Sequence, residues 1–157
     1  MEKRADVRIV TVFYSRENAE YFLSFSFPAI KKLKIPLTVV DNGDNSKLID
    51  SNSGINYIKN NVNKGYGSGA NIGIAEAQEK FVLLANDDTL LSEKFLCRLI
   101  ENLSFYSKND YAIVGFRIIS KHSPKTGIQM IPYNQIIILY HFSVLPFMLS
   151  LFSKGSG

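Results

Sequence analysis

FVLLANDDT, residues 81–89, sets an unbroken apolar run against an acidic turn. The run from Phe81 to Ala85 has the length of a strand, and its lack of polar alternation predicts a strand buried on both faces, as in a parallel sheet. Asn86, Asp87 and Asp88 end it. Two adjacent acids repel each other and need solvent, a cation or helix N-terminal amides. Capping a downstream turn would satisfy them. So would Mg2+ or Mn2+, which take hard oxygen ligands, commonly one or two carboxylates together with substrate phosphates.

Upstream, Val7 to Tyr14 (VRIVTVFY) is a second run of the same kind, rich in β-branched and aromatic residues. Asn18 is placed to cap a helix running to about Lys34, with Phe22, Ala29, Ile30 and Leu33 on one side and a kink at Pro28. Leu37 to Val40 and Ile55 to Ile58 read as further strands, the former ended by the turn-forming residues Asp41 to Asn45. A glycine-rich stretch from Asn60 to Gly73 leads into a helix through about Lys80. Downstream of the acidic turn, Ser92 caps a helix carrying Phe95, Leu96, Leu99 and Leu103, and Tyr111 to Ile119 is the fifth strand.

Strands alternating with helices imply right-handed crossovers and a largely parallel α/β sheet covered on both faces. In such sheets ligands sit outside the carboxyl ends of the strands. Those positions are Tyr14 to Arg16, Asp41 to Asp44, the 60–73 stretch and Asn86 to Asp88, which can converge on one crevice. That setting favours a cation over a cap for the acidic turn. The glycine-rich stretch NVNKGYGSGANIGI has neither the lysine and hydroxyl of a P-loop nor G-x-G-x-x-G spacing. It reads equally well as a flexible connector or as a binding loop whose bare backbone approaches a ligand, with Lys64 supplying charge and Asn71 a hydrogen bond.

The 157 residues include 46% hydrophobic and 20% charged side chains, enough for one core, which excludes collagen-like, disordered and disulfide-stapled classes. A lone Cys97, on the helix after Ser92, predicts a buried, inert thiol and a reducing compartment. Met1 to Asp6 is charged rather than apolar, which predicts a cytoplasmic chain without a secretory leader. The net charge of +4 arises at one end: all fourteen carboxylates lie within residues 1–110, and only Arg117, Lys121, Lys125 and Lys154 follow. Set among apolar residues, these cations point to lipid rather than nucleic acid.

In order, VRIVTVFYSR, TVVDNGDNS, NVNKGYGSGANIGI and FVLLANDDT resemble the nucleotide-binding half of the family 2 glycosyltransferases, especially the rhamnosyltransferase-like branch. The resemblance covers Val7 to Ile119 and implies a GT-A-type, Rossmann-like, mostly parallel sheet flanked by helices, as a domain over residues 1–120. It implies a nucleoside-diphosphate sugar donor (UDP, dTDP or GDP) and a glycan or lipid-linked acceptor. It further implies a nucleotide pocket lined by Phe13, Tyr14 and Arg16, with Asp41 on the base or ribose. Lys64, Gly65 and Asn71 would lie beside base, ribose or sugar. Asn86 and Asp88 take the outer places of the family's D-x-D motif around Asp87, with Asp88 the ligand of a Mg2+ or Mn2+ that bridges the diphosphate. The implied chemistry is inverting: an acceptor hydroxyl attacks C1 while the metal stabilises the departing nucleoside diphosphate.

One departure stands out. The family's base is a carboxylate in its second half, and this chain has no Asp or Glu after Asp110. His122 and His141 are the remaining candidates there, and their spacing recommends neither. Residues 121–157 form a basic and apolar C-terminal segment. Within it, Ile136 to Phe152 is charge-free over seventeen residues. It reads as an apolar helix, either interfacial on the inner face of the cell membrane or packed in the core or a homodimer. Two classes of function therefore stand side by side: a metal-assisted transferase, and a non-catalytic donor-binding module without base or acceptor site. A nucleotidyltransferase is disfavoured, because a basic phosphate-binding signature near the first strand is missing.

Overall fold

Strand β1 (Val7–Phe13) is buried at every residue, and so is β2 (Leu37–Asp41). Each lies under helices on both faces, which is why neither shows polar alternation. The computed structural model describes residues 5–49, 53–109, 113–116 and 137–141. The remaining elements are α1 (Arg16–Phe25), α2 (Phe27–Lys32), β3 (Asn56–Lys59), α3 (Tyr66–Ala75), β4 (Phe81–Asn86), α4 (Glu93–Lys108), β5 (Ile113–Phe116) and β6 (Ile137–His141). A single 3-10 turn, Ser46–Leu48, follows β2.

The sheet has the order β3-β2-β1-β4-β6-β5. The first four of these strands are mutually parallel, whereas β6 runs antiparallel to both β4 and β5. Alternate residues of β1 feed two cores. Val7, Ile9 and Phe13 meet Ala19 and Phe22 of α1, Ile30 of α2 and Leu96, Leu99 and Leu103 of α4. Val10 and Val12 meet Ala70 and Ile74 of α3 on the other face. One ion pair spans the second face: Arg8 grips Glu79 with Nε at 2.7 Å and Nη2 at 3.1 Å, and its Nη1 donates to Thr38 Oγ1 at 3.0 Å. Burial penalises the Glu79 carboxylate, but the Arg8 hydrogen bonds and charge outweigh it and hold the group below its ordinary range.

Several local expectations change. Ser15, not Asn18, caps α1, its hydroxyl accepting from the Asn18 N–H at 3.2 Å. The long first helix is two helices broken at Ser26, and Pro28 sits in the first turn of α2, where its missing N–H costs nothing. Ser92 caps α4 as expected, accepting from the Phe95 N–H at 3.2 Å. Cys97 is only partly buried. The glycine-rich stretch is neither connector nor loop after Gly65, because α3 begins at Tyr66 and ends at Ala75, short of Lys80.

The C-terminal expectation needs correction too. Residues 137–141, read as part of an apolar helix, form a strand, β6, inserted between β4 and β5. A short charge-free run rich in β-branched residues suits a covered strand as well as a buried helix, and periodicity alone does not separate the two. Residues 142–152 of that segment lie outside the described residues, as do His122 and the four cations after Asp110. Among the described residues, no helix is long and apolar enough to cross a membrane.

Candidate functional site at the carboxyl ends of the parallel strands

Register brings the expected loops to one edge of the sheet. Phe13 pairs with Asp41, and Val12 with Asn86, so the chain leaves β1, β2 and β4 at nearly the same level. Parallel pairing enforces this, since all three strands point the same way.

At the end of β2, Asp41 is fully buried. Its Oδ1 accepts from the Gly43 N–H and from Asn45 Nδ2, both at 2.9 Å, and its Oδ2 from the Asn45 N–H and the Tyr57 hydroxyl, both at 2.7 Å. Burial alone would raise this carboxyl, but donation from Tyr57 and from the Asn45 and Gly43 groups wins and leaves it below the usual carboxylate range. Tyr57 is pushed above the ordinary phenol range, first by burial and then by Asp41. Asn45 Nδ2 also reaches the Tyr14 carbonyl at 3.3 Å, which ties the β2 turn to the end of β1. Gly43 lies flat against that carbonyl, where a side chain would collide.

Asn42 links β2 to β3 and α3. Its Oδ1 accepts from Asn60 Nδ2 at 2.6 Å, and its Nδ2 donates to the Gly65 carbonyl at 3.0 Å. Gly65 has φ +80°, a left-handed conformation that glycine adopts without penalty, and its N–H donates to Asn63 Oδ1 at 2.8 Å. Gly69 and Gly73, one turn apart, have no side chain between α3 and the sheet. A Cβ at Gly69 would stand 2.9 Å from Val12 Cγ1, and one at Gly73 would run into Val10. The glycines thus serve close helix–sheet packing, a role that spacing by four on a helix could have signalled. Asn71, between them, leaves its Oδ1 buried with no donor among the described residues.

The acidic turn leaves β4 between β1 and β6. Asp87 is half-buried; its Oδ1 accepts from Asn18 Nδ2 of α1 at 3.3 Å, and the Tyr14 N–H contributes a further bond. Desolvation, only partly offset by Asn18 and aggravated by Asp88, holds Asp87 above the ordinary carboxylate range. Asp88 is exposed, and Thr89 closes the turn by donating its N–H to the Asn86 carbonyl at 3.2 Å. Behind the turn, the buried Ser26 hydroxyl donates to the Thr89 carbonyl and accepts from the Leu91 N–H, both at 3.0 Å. No cluster of three or more His, Cys, Asp or Glu exists among the described residues. The donor set is therefore one or two carboxylates, which suits a Mg2+ or Mn2+ ion sharing its shell with phosphates rather than a cation caged by protein alone.

The candidate residues divide by exposure. Tyr14, Arg16, Lys64, Gly65 and Asp88 are exposed to solvent, and Arg16 is paired with Glu20 at 2.8 Å. Asn71, Asn86 and Asp87 are partly buried. Phe13 is withdrawn: its ring is fully buried, edge-on to Phe22 at 5.7 Å. Asp41 lies beneath the surface with its oxygens engaged. Sequence reasoning missed Asn18, Ser26, Asn45 and Tyr57 as site residues, each of which holds the strand ends through a partner distant in sequence or across a turn. Asn45 alone carried a local signal, as an Asx-type turn residue after a strand.

A family model described as glycosyl transferase family 2 matches residues 9–151. No curated protein matches the chain significantly. Among solved structures, the chain is similar to S. aureus TarS 1–349 in complex with UDP-GlcNAc, at 14% identity and a TM-score of 0.67, over 90% of this chain and 47% of that one. It is also similar to the mannosyltransferase PcManGT from Pyrobaculum calidifontis in complex with GDP-Man and Mn2+, at 12% identity and a TM-score of 0.68, over 94% of this chain and 47% of that one. The fold is thus GT-A-type, and the chain spans about half the length of these structures.

Proposed function

The chain belongs to glycosyl transferase family 2, and from that premise we propose that its crevice binds a nucleoside-diphosphate sugar and presents the sugar for transfer to an acceptor hydroxyl. The observation that carries this reading is the acidic turn Asn86–Asp88 at the carboxyl end of a central parallel strand, level with the ends of β1 and β2. The nucleotide sugars in the TarS and PcManGT complexes support the donor class.

Asp88, exposed and carrying spare acceptor capacity, would hold Mg2+ or Mn2+, with Asp87 and Asn86 beside it. When bound, the ion would supply positive charge against the charge that develops on the departing diphosphate. Tyr14, just after β1, and Arg16, the first residue of α1, are the exposed side chains that would meet the nucleotide. Lys64 adds a cation at the start of α3, and Asn71 Oδ1, which has no donor among the described residues, is an acceptor suited to a ribose or sugar hydroxyl. Asp41 acts one step back, holding the β2 turn that the base or ribose meets. The acceptor is a glycan or a lipid-linked glycan, the latter in keeping with the basic, carboxylate-free sequence after Asp110. Displacement at C1 by that hydroxyl inverts the anomeric centre.

A second reading rests on one specific observation: no Asp or Glu follows Asp110 to serve as base. On it, the chain is a donor-binding module that does not turn over alone. Calorimetric titration with UDP-, dTDP- and GDP-sugars, with and without Mn2+, followed by assay of free nucleoside diphosphate, separates the two. Metal-dependent binding with release supports the transferase, and binding without release the module. No binding overturns both. Asp88→Asn should abolish metal-dependent binding with the fold intact, and unchanged binding would remove that assignment.

A further inference from the structure

Ser26 is fully buried at the junction of α1 and α2, where its N–H closes α1 on the Phe22 carbonyl at 2.9 Å. A serine that begins a helix ordinarily spends its hydroxyl on that helix's first free N–H groups. Ser26 makes no such cap. Its Oγ instead donates to the Thr89 carbonyl and accepts from the Leu91 N–H, each at 3.0 Å and more than sixty residues away in sequence. Donor and acceptor capacity are both used, and both partners are buried. From the other end of α1, Asn18 holds Asp87. The acidic turn is thus gripped at two points by one helix: at the acid itself, and one and three residues beyond Asp88.

We propose that Ser26 is a positioning residue for the acidic turn: it fixes the exit of the turn so that Asp87 and Asp88 are presented to a metal-bridged diphosphate. The inference rests on the donor-site reading above. It assigns α1 a second role besides covering the sheet, and it explains why the first helix is interrupted by a serine whose hydroxyl leaves its own α2 uncapped.

The test uses the full chain, with Mn2+ and UDP, and separately Mn2+ and GDP, as probes. Ser26→Ala is compared with Leu103→Ala, a buried change on α4 beside Ala5, Asp6 and Phe81 at the opposite end of the sheet. Ser26→Ala should weaken metal–nucleotide binding about ten- to a hundredfold, the usual effect of losing a group that orients a ligand-bearing residue. It should also shift the Asp87 and Asp88 amide resonances, whereas Leu103→Ala should lower the thermal midpoint without either change. In the unaltered chain, nucleotide with Mn2+ should slow hydrogen exchange at the Leu91 N–H and not at Leu103, a measurement that stands even if Ser26→Ala does not fold. Equal binding by both variants, or unmoved Leu91 exchange on binding, would overturn the positioning role and leave the donor site in place. A parent chain that binds neither nucleotide would overturn the donor reading, and with it the role assigned to Ser26.

Discussion

The Tyr57 hydroxyl donates to Asp41 Oδ2 at 2.7 Å, joining β3 to the end of β2 beneath the crevice. It is one of four donors on a carboxylate with no exposure to water.

That contact gives Tyr57→Phe a pH signature. Asp41 ionises more readily folded than unfolded, so its ionised form stabilises the fold above the ordinary carboxylate range, and the benefit fades as pH falls through the lowered folded value. Removing the phenol donor should cost on the order of 1 kcal/mol at pH 7. The gap between parent and variant in urea unfolding should narrow as pH drops below about 4. A gap of constant size would show that Tyr57 acts by packing alone.

Asp87 carries the opposite sign. Desolvation raises its folded value, so ionisation favours the unfolded chain and stability is lost as pH rises from the ordinary carboxylate range through the raised value. Asp87→Asn keeps an acceptor for Asn18 and removes the repulsion from Asp88. Its thermal midpoint at pH 7 should rise by about 2–4 °C, while metal-dependent nucleotide binding weakens, an exchange of stability for function common at binding sites. A lowered midpoint would contradict this account.

Gly73→Ala tests the close approach of α3. Alanine in a helix is worth about 1 kcal/mol more than glycine if nothing else changes. The new methyl would run into Val10 and stand 3.1 Å from Val40 Cγ2, so a net loss of about 1–3 kcal/mol in chemical denaturation is expected. Net stabilisation would mean that α3 can lift from the sheet without cost.

The Arg8–Glu79 pair should behave as a unit. Glu79→Leu alone strands a guanidinium in the interior and should cost about 3–5 kcal/mol, whereas Arg8→Met combined with Glu79→Leu should recover most of it. Unfolding midpoints of the single and double variants give the coupling directly.

Much of this architecture can be read from the sequence. The strands were visible because doubly covered strands have no polar face, so Val7 to Phe13, Leu37 to Val40 and Phe81 to Ala85 stand out as uninterrupted runs. The acidic turn was visible because it breaks such a run abruptly. Less visible were features that depend on a neighbour distant in sequence. Phe13 looks like a pocket residue until alternation along β1 assigns its ring to the face under α1. Gly69 and Gly73 look like loop residues until the sheet beneath them explains why side chains are excluded. The Asp41–Tyr57 and Ser26–Leu91 contacts arise only when β3 pairs with β2 and α1 packs beside the acidic turn.

The insertion of β6 has a consequence for how the chain is made. In the described sheet, β5 meets only β6, and β6 is what separates it from β4. During synthesis, β1 to β4 can pair as soon as residue 86 is available, but among the described strands β5 has no partner until residues 137–141 follow. For those fifty-odd residues of elongation, β4 presents an open hydrogen-bonding edge in an apolar setting, the kind of edge through which strands of separate chains join. The nascent sheet therefore grows out of chain order, with its β4 edge open until β6 is made.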